Sequence, residues 1–282
     1  MKFINIISIL VFISSSFAEA SSINPKTLRV ALIPDENAAK IIKKHKGFRE
    51  YLAKALNKRI RLVVSTDYSS MIEAMRHGRL ELAYFGPLSY VMAKSKSQIE
   101  VFAARKKDGR KTYQTAFIVN RDFGINKIED VKGKNMAFGD IASTSSHLIP
   151  KSMLRAKGLV AKDDYEEHFL GAHDAVAVAV QNGKAQAGAL SRPIFESLVK
   201  RGIISLRKVK VLEYSKPFPQ YPWVMRSDLD LELKKNIRTT FYNLRDKSVL
   251  GPFKASGFAE MEDEDYDGIR ELSKILKLKL TF

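Results

Sequence analysis

Ser143, Thr144, Ser145 and Ser146 stand in a row within FGDIASTSSHLIP, between an apolar run and a helical pattern. Hydroxyls clustered where a strand hands over to a helix suit two chemistries. Ser and Thr are favoured N-caps, so the run could serve only to cap the helix. Joined to the unpaired N–H groups and the dipole of a helix start, the same hydroxyls also form a site for an anion. The stretch alone leaves both open. Nucleophilic catalysis is a poorer reading. Ser145 and His147 are two residues apart at a helix start, where side chains do not face each other. Neither a G-x-S-x-G elbow nor an HExxH motif occurs. His168 and His173 are five apart and do not share a helix face, so no metal site is expected, and no cofactor. The chain has no cysteine, which excludes disulfides, thiolate metal sites and a Cys nucleophile.

These residues must be positioned by an alternation of strand and helix that predicts an α/β fold with mostly parallel sheets. Strands are expected at Leu28–Ile33, Ile60–Val64, Leu80–Phe85, Val101–Ala104 and Thr115–Val119, with helical spacing at Ile41, His45, Phe48, Leu52 and Ala55 and at Met71–Met75. The rhythm restarts after Asn120, with strands at Lys134–Phe138, His168–Leu170, Ala185–Leu190 and Val209–Tyr214. Helices are expected between them at Leu148–Lys157, Ala175–Gln181 and Pro193–Lys200. Lys216–Pro222, with three prolines, reads as a rigid loop. Two amphipathic segments, Leu231–Leu244 and Tyr266–Leu276, close the chain and are expected to pack on the first unit. Two such units imply two lobes with a cleft between them, at strand ends and helix starts.

Residues 1–20 carry Lys2, an apolar run from Phe3 to Phe17 and Ala18-Glu19-Ala20, the pattern of a secretory signal cleaved before Ser21. The run is short for a membrane span. Export without cysteine fits a bacterial periplasm. The net charge of +17 suits anionic ligands in general. Basic residues are spread along the chain without interleaved aromatics, so no nucleic acid is expected.

Three stretches together resemble the substrate-binding proteins of phosphonate, phosphite and phosphate ABC transporters: TDYSSMIEAMRHGRLELAYFGPLSY (66–90), the Ser-Thr-Ser helix start with Pro150 after it, and GAHDAVAVAVQNGKAQAGAL (171–190). The resemblance implies the type II periplasmic binding fold, with a ligand cleft and two hinge crossings, near Thr112–Thr115 and Tyr221–Met225. The lobes then comprise 21–114 and 223–282 for the first and 115–222 for the second. It also implies a monomer that binds a small tetrahedral oxyanion in the periplasm and delivers it to an ABC permease, without catalysis. By position, Ser143, Thr144 and Ser145 match the family's oxyanion clamp, Tyr68 an aromatic hydroxyl donor from the first lobe and His173 a donor from the second. The clamp residues are expected to carry affinity and contribute little to stability. Phe85 stands where some members have Tyr, as cleft wall or core, with Tyr84 on the opposite pleat. Trp223 is expected at the return hinge. Members that take aminophosphonates use acids near Arg192 and near Tyr221. Neither position is acidic here, which favours phosphate, phosphite or a small alkylphosphonate, unless Glu196 takes the missing role. A ligand-sensing module with the same fold, a sulfonate binder and an exported phosphoesterase are the competing readings.

Overall fold

Each helix in the first half of the chain carries it back to the start of the next strand. The computed structural model describes residues 22–278, and the expected leader lies outside them. Strand β1 (Thr27–Leu32) leads to α1 (Ala38–Lys44), α2 (Lys46–Leu56), β2 (Arg59–Val64), α3 (Tyr68–Arg76), β3 (Leu82–Tyr84), α4 (Pro87–Lys94) and β4 (Ile99–Lys106). Then follow β5 (Thr112–Tyr113), β6 (Thr115–Asn120), β7 (Asn135–Phe138), α5 (Ile149–Ala156), β8 (Glu166–Phe169), α6 (His173–Gln181), β9 (Ala187–Ser191) and α7 (Arg192–Lys200). The remainder is β10 (Val209–Tyr214), β11 (Phe218–Pro219), β12 (Pro222–Arg226), α8 (Leu231–Tyr242), α9 (Lys247–Leu250), β13 (Gly257–Ala259) and α10 (Asp267–Ile275).

The strands form a six-stranded sheet, β13-β4-β12-β3-β1-β2, and a five-stranded sheet, β10-β6-β9-β7-β8. The expectation of mostly parallel sheets needs correction. β1 pairs parallel with β2 and β3, and β7 with β8 and β9. By contrast, β12 runs antiparallel to β3 and β4, and β6 antiparallel to β9 and β10. The reason is topological. A helical crossover returns the chain in the same direction, whereas β6 and β12 arrive from the other sheet without one. The two connecting passages run side by side as a short ladder, β11 against β5, with Phe218 opposite Tyr113. Part of the proline-rich stretch is therefore strand.

Helix α2 buries Phe48, Leu52 and Leu56 along one face, as their spacing of four requires. Sequence reading passed over α4. Gly86 precedes it and Pro87 opens it, a favourable start. Every residue from Pro87 to Ala93 is buried, so no amphipathic period marks it. Helices α8 and α10 do pack on the first lobe: Ile237, Phe241 and Ile269 join its core with Leu28, Val30 and Leu82. Trp223, near the start of β12 just after the returning passage, is a core residue there. Its ring stacks on Tyr84 at 4.9 Å and meets Phe241 edge-on at 4.9 Å. Among the described residues, no helix is long and apolar enough to cross a membrane.

Candidate functional site

Four helix starts reach the space between the sheets: those of α3 at Tyr68, α4 at Pro87, α6 at His173 and the hydroxyl run at Thr144. The run forms a wide π-helical turn, Thr144–Leu148, that continues into α5. Within it the hydroxyls divide their work. Ser143 is the N-cap and its side chain accepts from Ser146 N–H at 3.2 Å. The Ser146 hydroxyl donates to the Ala189 carbonyl of β9. Thr144 Oγ1 accepts from Leu88 N–H at 2.8 Å, which ties the second lobe to the first turn of α4. Ser145 Oγ is buried and has no protein partner. Gly139 makes this packing feasible, since a Cβ there would lie 2.8 Å from Ser146 Oγ.

Three further buried polar atoms lack partners beside it: Tyr68 Oη, Tyr113 Oη and His173 Nε2. Ser143 lies by the Tyr68 hydroxyl, and Ser145 and Tyr221 lie by that of Tyr113. His173 Nδ1 accepts from Ser191 N–H at 3.1 Å, which places the ring hydrogen on Nε2. Burial lowers the His173 pKa to about 3, so the ring is neutral and Nε2 is a donor. Burial, with Asp35 and Asp140 nearby, holds the Tyr68 pKa well above its usual value, so its hydroxyl keeps its hydrogen. Tyr113 is pushed the same way by burial. The four atoms are neutral donors, and a buried donor without an acceptor is costly.

Other bonds join the lobes around them. Tyr68 N–H donates to Asp140 Oδ2 at 3.2 Å and His173 N–H to the Asp35 carbonyl at 3.0 Å. Arg201 of the second lobe reaches Glu36 of the first at 2.9 Å. Glu36 also receives Lys44 at 3.3 Å and Lys254 at 3.4 Å. Burial alone would raise the Glu36 pKa, but Lys254, Lys44 and Arg201 outweigh it and hold it at about 2. Next to this cluster a cavity is lined by Asp35, Tyr84, Arg105 and Tyr221 from one side and by Ser191 and Ile194 from the other.

Tyr68, Ser143, Thr144, Ser145 and His173 thus come to one interface. Phe85 is fully buried, one residue before Gly86 and the start of α4; Tyr84, on the other pleat, lines the neighbouring cavity. Arg192 is engaged elsewhere: Nε donates to Glu196 at 2.7 Å, Nη1 to Gln114 at 2.8 Å, and the guanidinium lies 4.2 Å from the Tyr214 ring. Glu196 is therefore already paired. Tyr113, Asp35 and Asp140 were missed by sequence reading. Tyr113 sits in a two-residue strand that no pattern marks. Asp140 is three residues before the hydroxyl run, in the position of an ordinary turn acid. Among the described residues no group of three or more His, Asp or Glu is placed to hold a metal.

The model of the family described as "ABC transporter, phosphonate, periplasmic substrate-binding protein" matches residues 30–266. The chain belongs to that family. It is 28% identical over 293 residues to the probable ABC transporter phosphite binding protein PhnD1 of Prochlorococcus marinus, covering 98% of both chains. It is 27% identical over 304 residues to the phosphonates-binding periplasmic protein of Escherichia coli, covering 98% of this chain and 89% of that one. A solved structure of the Prochlorococcus PhnD1 with methylphosphonate superposes with a TM-score of 0.84 at 28% identity, over 90% of this chain and 99% of that one. The fold is that of type II periplasmic binding proteins. Family members are substrate-binding components of ABC transporters.

Proposed function

We propose that the chain captures a small tetrahedral phosphorus oxyanion, namely phosphate, phosphite or an alkylphosphonate, between its lobes and delivers it to an ABC permease. The observation that carries this reading is the set of four buried donors without protein acceptors, Tyr68 Oη, Tyr113 Oη, Ser145 Oγ and His173 Nε2. Ser143 and Thr144 complete the clamp through their hydroxyls, and the N–H groups and dipole of the helix start add to it. Phe85 joins the proposed site as buried wall beside the start of α4.

Micromolar affinity needs about 8 kcal/mol. Hydrogen bonds to a charged acceptor contribute roughly 1.5–3 kcal/mol each, so four to six donors reach that range after association costs. Neutral donors hold the anion without an Arg or Lys contact that would slow its release to a permease. The surroundings of the serines support binding without turnover. The His147 ring is fixed by Nδ1 to the Ile141 carbonyl at 2.7 Å and meets Phe138 and Phe169, and His173 Nδ1 is taken by Ser191. His173 carries its hydrogen on Nε2, and neither ring is hydrogen-bonded to Ser145 Oγ, which has no paired base. Processing after Ala20 and a monomeric mature chain with lobes 21–114 with 223–282 and 115–222 complete the proposal.

A thermal-shift panel on the ligand-stripped mature protein tests it. Phosphate, phosphite or methylphosphonate should raise the melting temperature, by about 2.7 kcal/mol of stabilisation at a hundredfold excess over Kd. A response to sulfonates alone would contradict it.

A further inference from the structure

Asp35 follows β1 in the loop that leads to α1, and its carboxylate faces tyrosines of the cleft. Its backbone carbonyl accepts from His173 N–H at 3.0 Å, which anchors it beside the donor proposed above. Its side chain lines the cavity with Tyr84, Arg105 and Tyr221 and exerts a field on Tyr68, Tyr84 and Tyr221. No hydrogen bond or ion pair to that side chain occurs among the described residues. The charged groups around it are all committed elsewhere. Lys44 and Lys254 bind Glu36, and Glu36 also holds Arg201. Arg105 Nε donates to Gln220 Oε1 at 2.7 Å and its Nη1 to the Phe253 carbonyl at 2.9 Å. Tyr68, Tyr84 and Tyr221 remain protonated, and His173 is neutral. A half-buried carboxylate in such a place is free to accept a hydrogen from a ligand. Burial, reinforced by Glu36 and opposed by Lys254, Arg105 and Lys44, raises its pKa to about 6, the direction expected where negative charge is poorly compensated.

We propose that Asp35 is the proton-accepting element of the site, taking the P–O–H hydrogen of a singly protonated phosphorus oxyanion and so excluding anions that bring no hydrogen, such as sulfate. The proposal rests on the oxyanion reading above and assigns its selectivity. One hydrogen is shared between a ligand oxygen and an Asp35 oxygen. The other ligand oxygens face Ser145, Tyr68, Tyr113 and His173. A sulfate would set an oxygen lone pair against the carboxylate unless Asp35 first took a proton from water. An ammonium-bearing ligand is the poorer match, because Lys254, Arg105 and Lys44 stand behind the carboxylate.

The test compares phosphite, sulfate and aminoethylphosphonate by calorimetry on the wild type and on Asp35→Asn in neutral buffer, above the Asp35 pKa, where its carboxylate is charged and a fraction of the phosphite keeps its hydrogen. The amide can donate to an oxygen of either anion, so the phosphite-to-sulfate preference should narrow at least tenfold while the melting temperature of the unliganded protein holds. Should the variant not fold, the wild type alone decides. Titrations at pH 8 in two buffers of different ionisation enthalpy should show uptake of about one proton per phosphite bound. A preference unchanged by the substitution, or no proton uptake, overturns the role of Asp35 alone. Loss confined to aminoethylphosphonate also overturns it and makes Asp35 the reader of an amine. A wild type with no heat for any phosphorus oxyanion removes the underlying reading and this inference with it.

Discussion

Ser143 and Ser145 are two residues apart and differ in what they hold. Ser143 caps the turn, whereas Ser145 Oγ has no protein partner. The expectation that the whole run contributes little to stability is therefore revised. Ser143→Ala should lower unfolding stability by about 1 kcal/mol, the usual cost of a lost N-cap. Ser145→Ala should leave the urea midpoint unchanged and weaken anion binding by roughly 1.5–3 kcal/mol. Paired urea melts and titrations check both, and a common loss of stability in the two variants would reduce the run to a cap. Sequence alone could not draw this distinction. Which hydroxyl turns inward depends on the wide turn at Thr144–Leu148, and one extra residue in a turn rotates every side chain after it. His173 was legible only through the resemblance, because its role depends on the Ser191 N–H that fixes its tautomer.

At the scale of elements, the site depends on how closely the hydroxyl turn sits on the strands beside it. Gly139 N–H donates to the Ser146 carbonyl at 3.0 Å, and a Cβ at this position would also lie 2.9 Å from Ser146 Cβ. Gly139→Ala should push the turn off β7, cost about 1–3 kcal/mol of stability and weaken anion binding as well. Retained affinity together with retained stability would show that the turn has room to move. A second contact acts between lobes. Arg201 is a third exposed, so its bond to Glu36 is a modest one. Arg201→Ala should speed ligand release several-fold in stopped-flow measurements, with little change in association rate. The elements themselves are legible where they have a period or an apolar run: β1, β2, β6 and α7 stand within a residue or two of expectation, while the helical spacing from Ile41 to Ala55 is divided at His45 between α1 and α2. Those missed lack such a signal. Helix α4 is buried on all sides, and β5 and β11 are two residues long, defined only by each other.

For the molecule as a whole, three buried histidines set the response to acid. Burial lowers His45 and His147 to about 4 and His173 to about 3, from an ordinary 6.5. The unfolded chain therefore takes up protons below pH 6.5 that the folded chain refuses until about pH 4, so stability is full above this window and falls through it. Each histidine contributes a loss of about 2 kcal/mol by pH 5. Asp35 and Asp140, whose pKa values burial raises, work in the opposite direction. Urea unfolding should show a net decrease of roughly 3–5 kcal/mol between pH 7.5 and pH 5. A flat profile would mean that the three rings become charged without unfolding.

The central claim concerns the whole cleft, a clamp of neutral donors closed over a small phosphorus oxyanion with cations held behind Asp35. Titration calorimetry of the ligand-stripped mature protein at neutral pH addresses it most directly, with phosphate, phosphite, methylphosphonate and aminoethylphosphonate as ligands. One of the first three should bind with micromolar or tighter affinity, and at least tenfold more tightly than aminoethylphosphonate, a gap of about 1.4 kcal/mol. Aminoethylphosphonate binding tightest, or no heat from any of the four, would contradict the account.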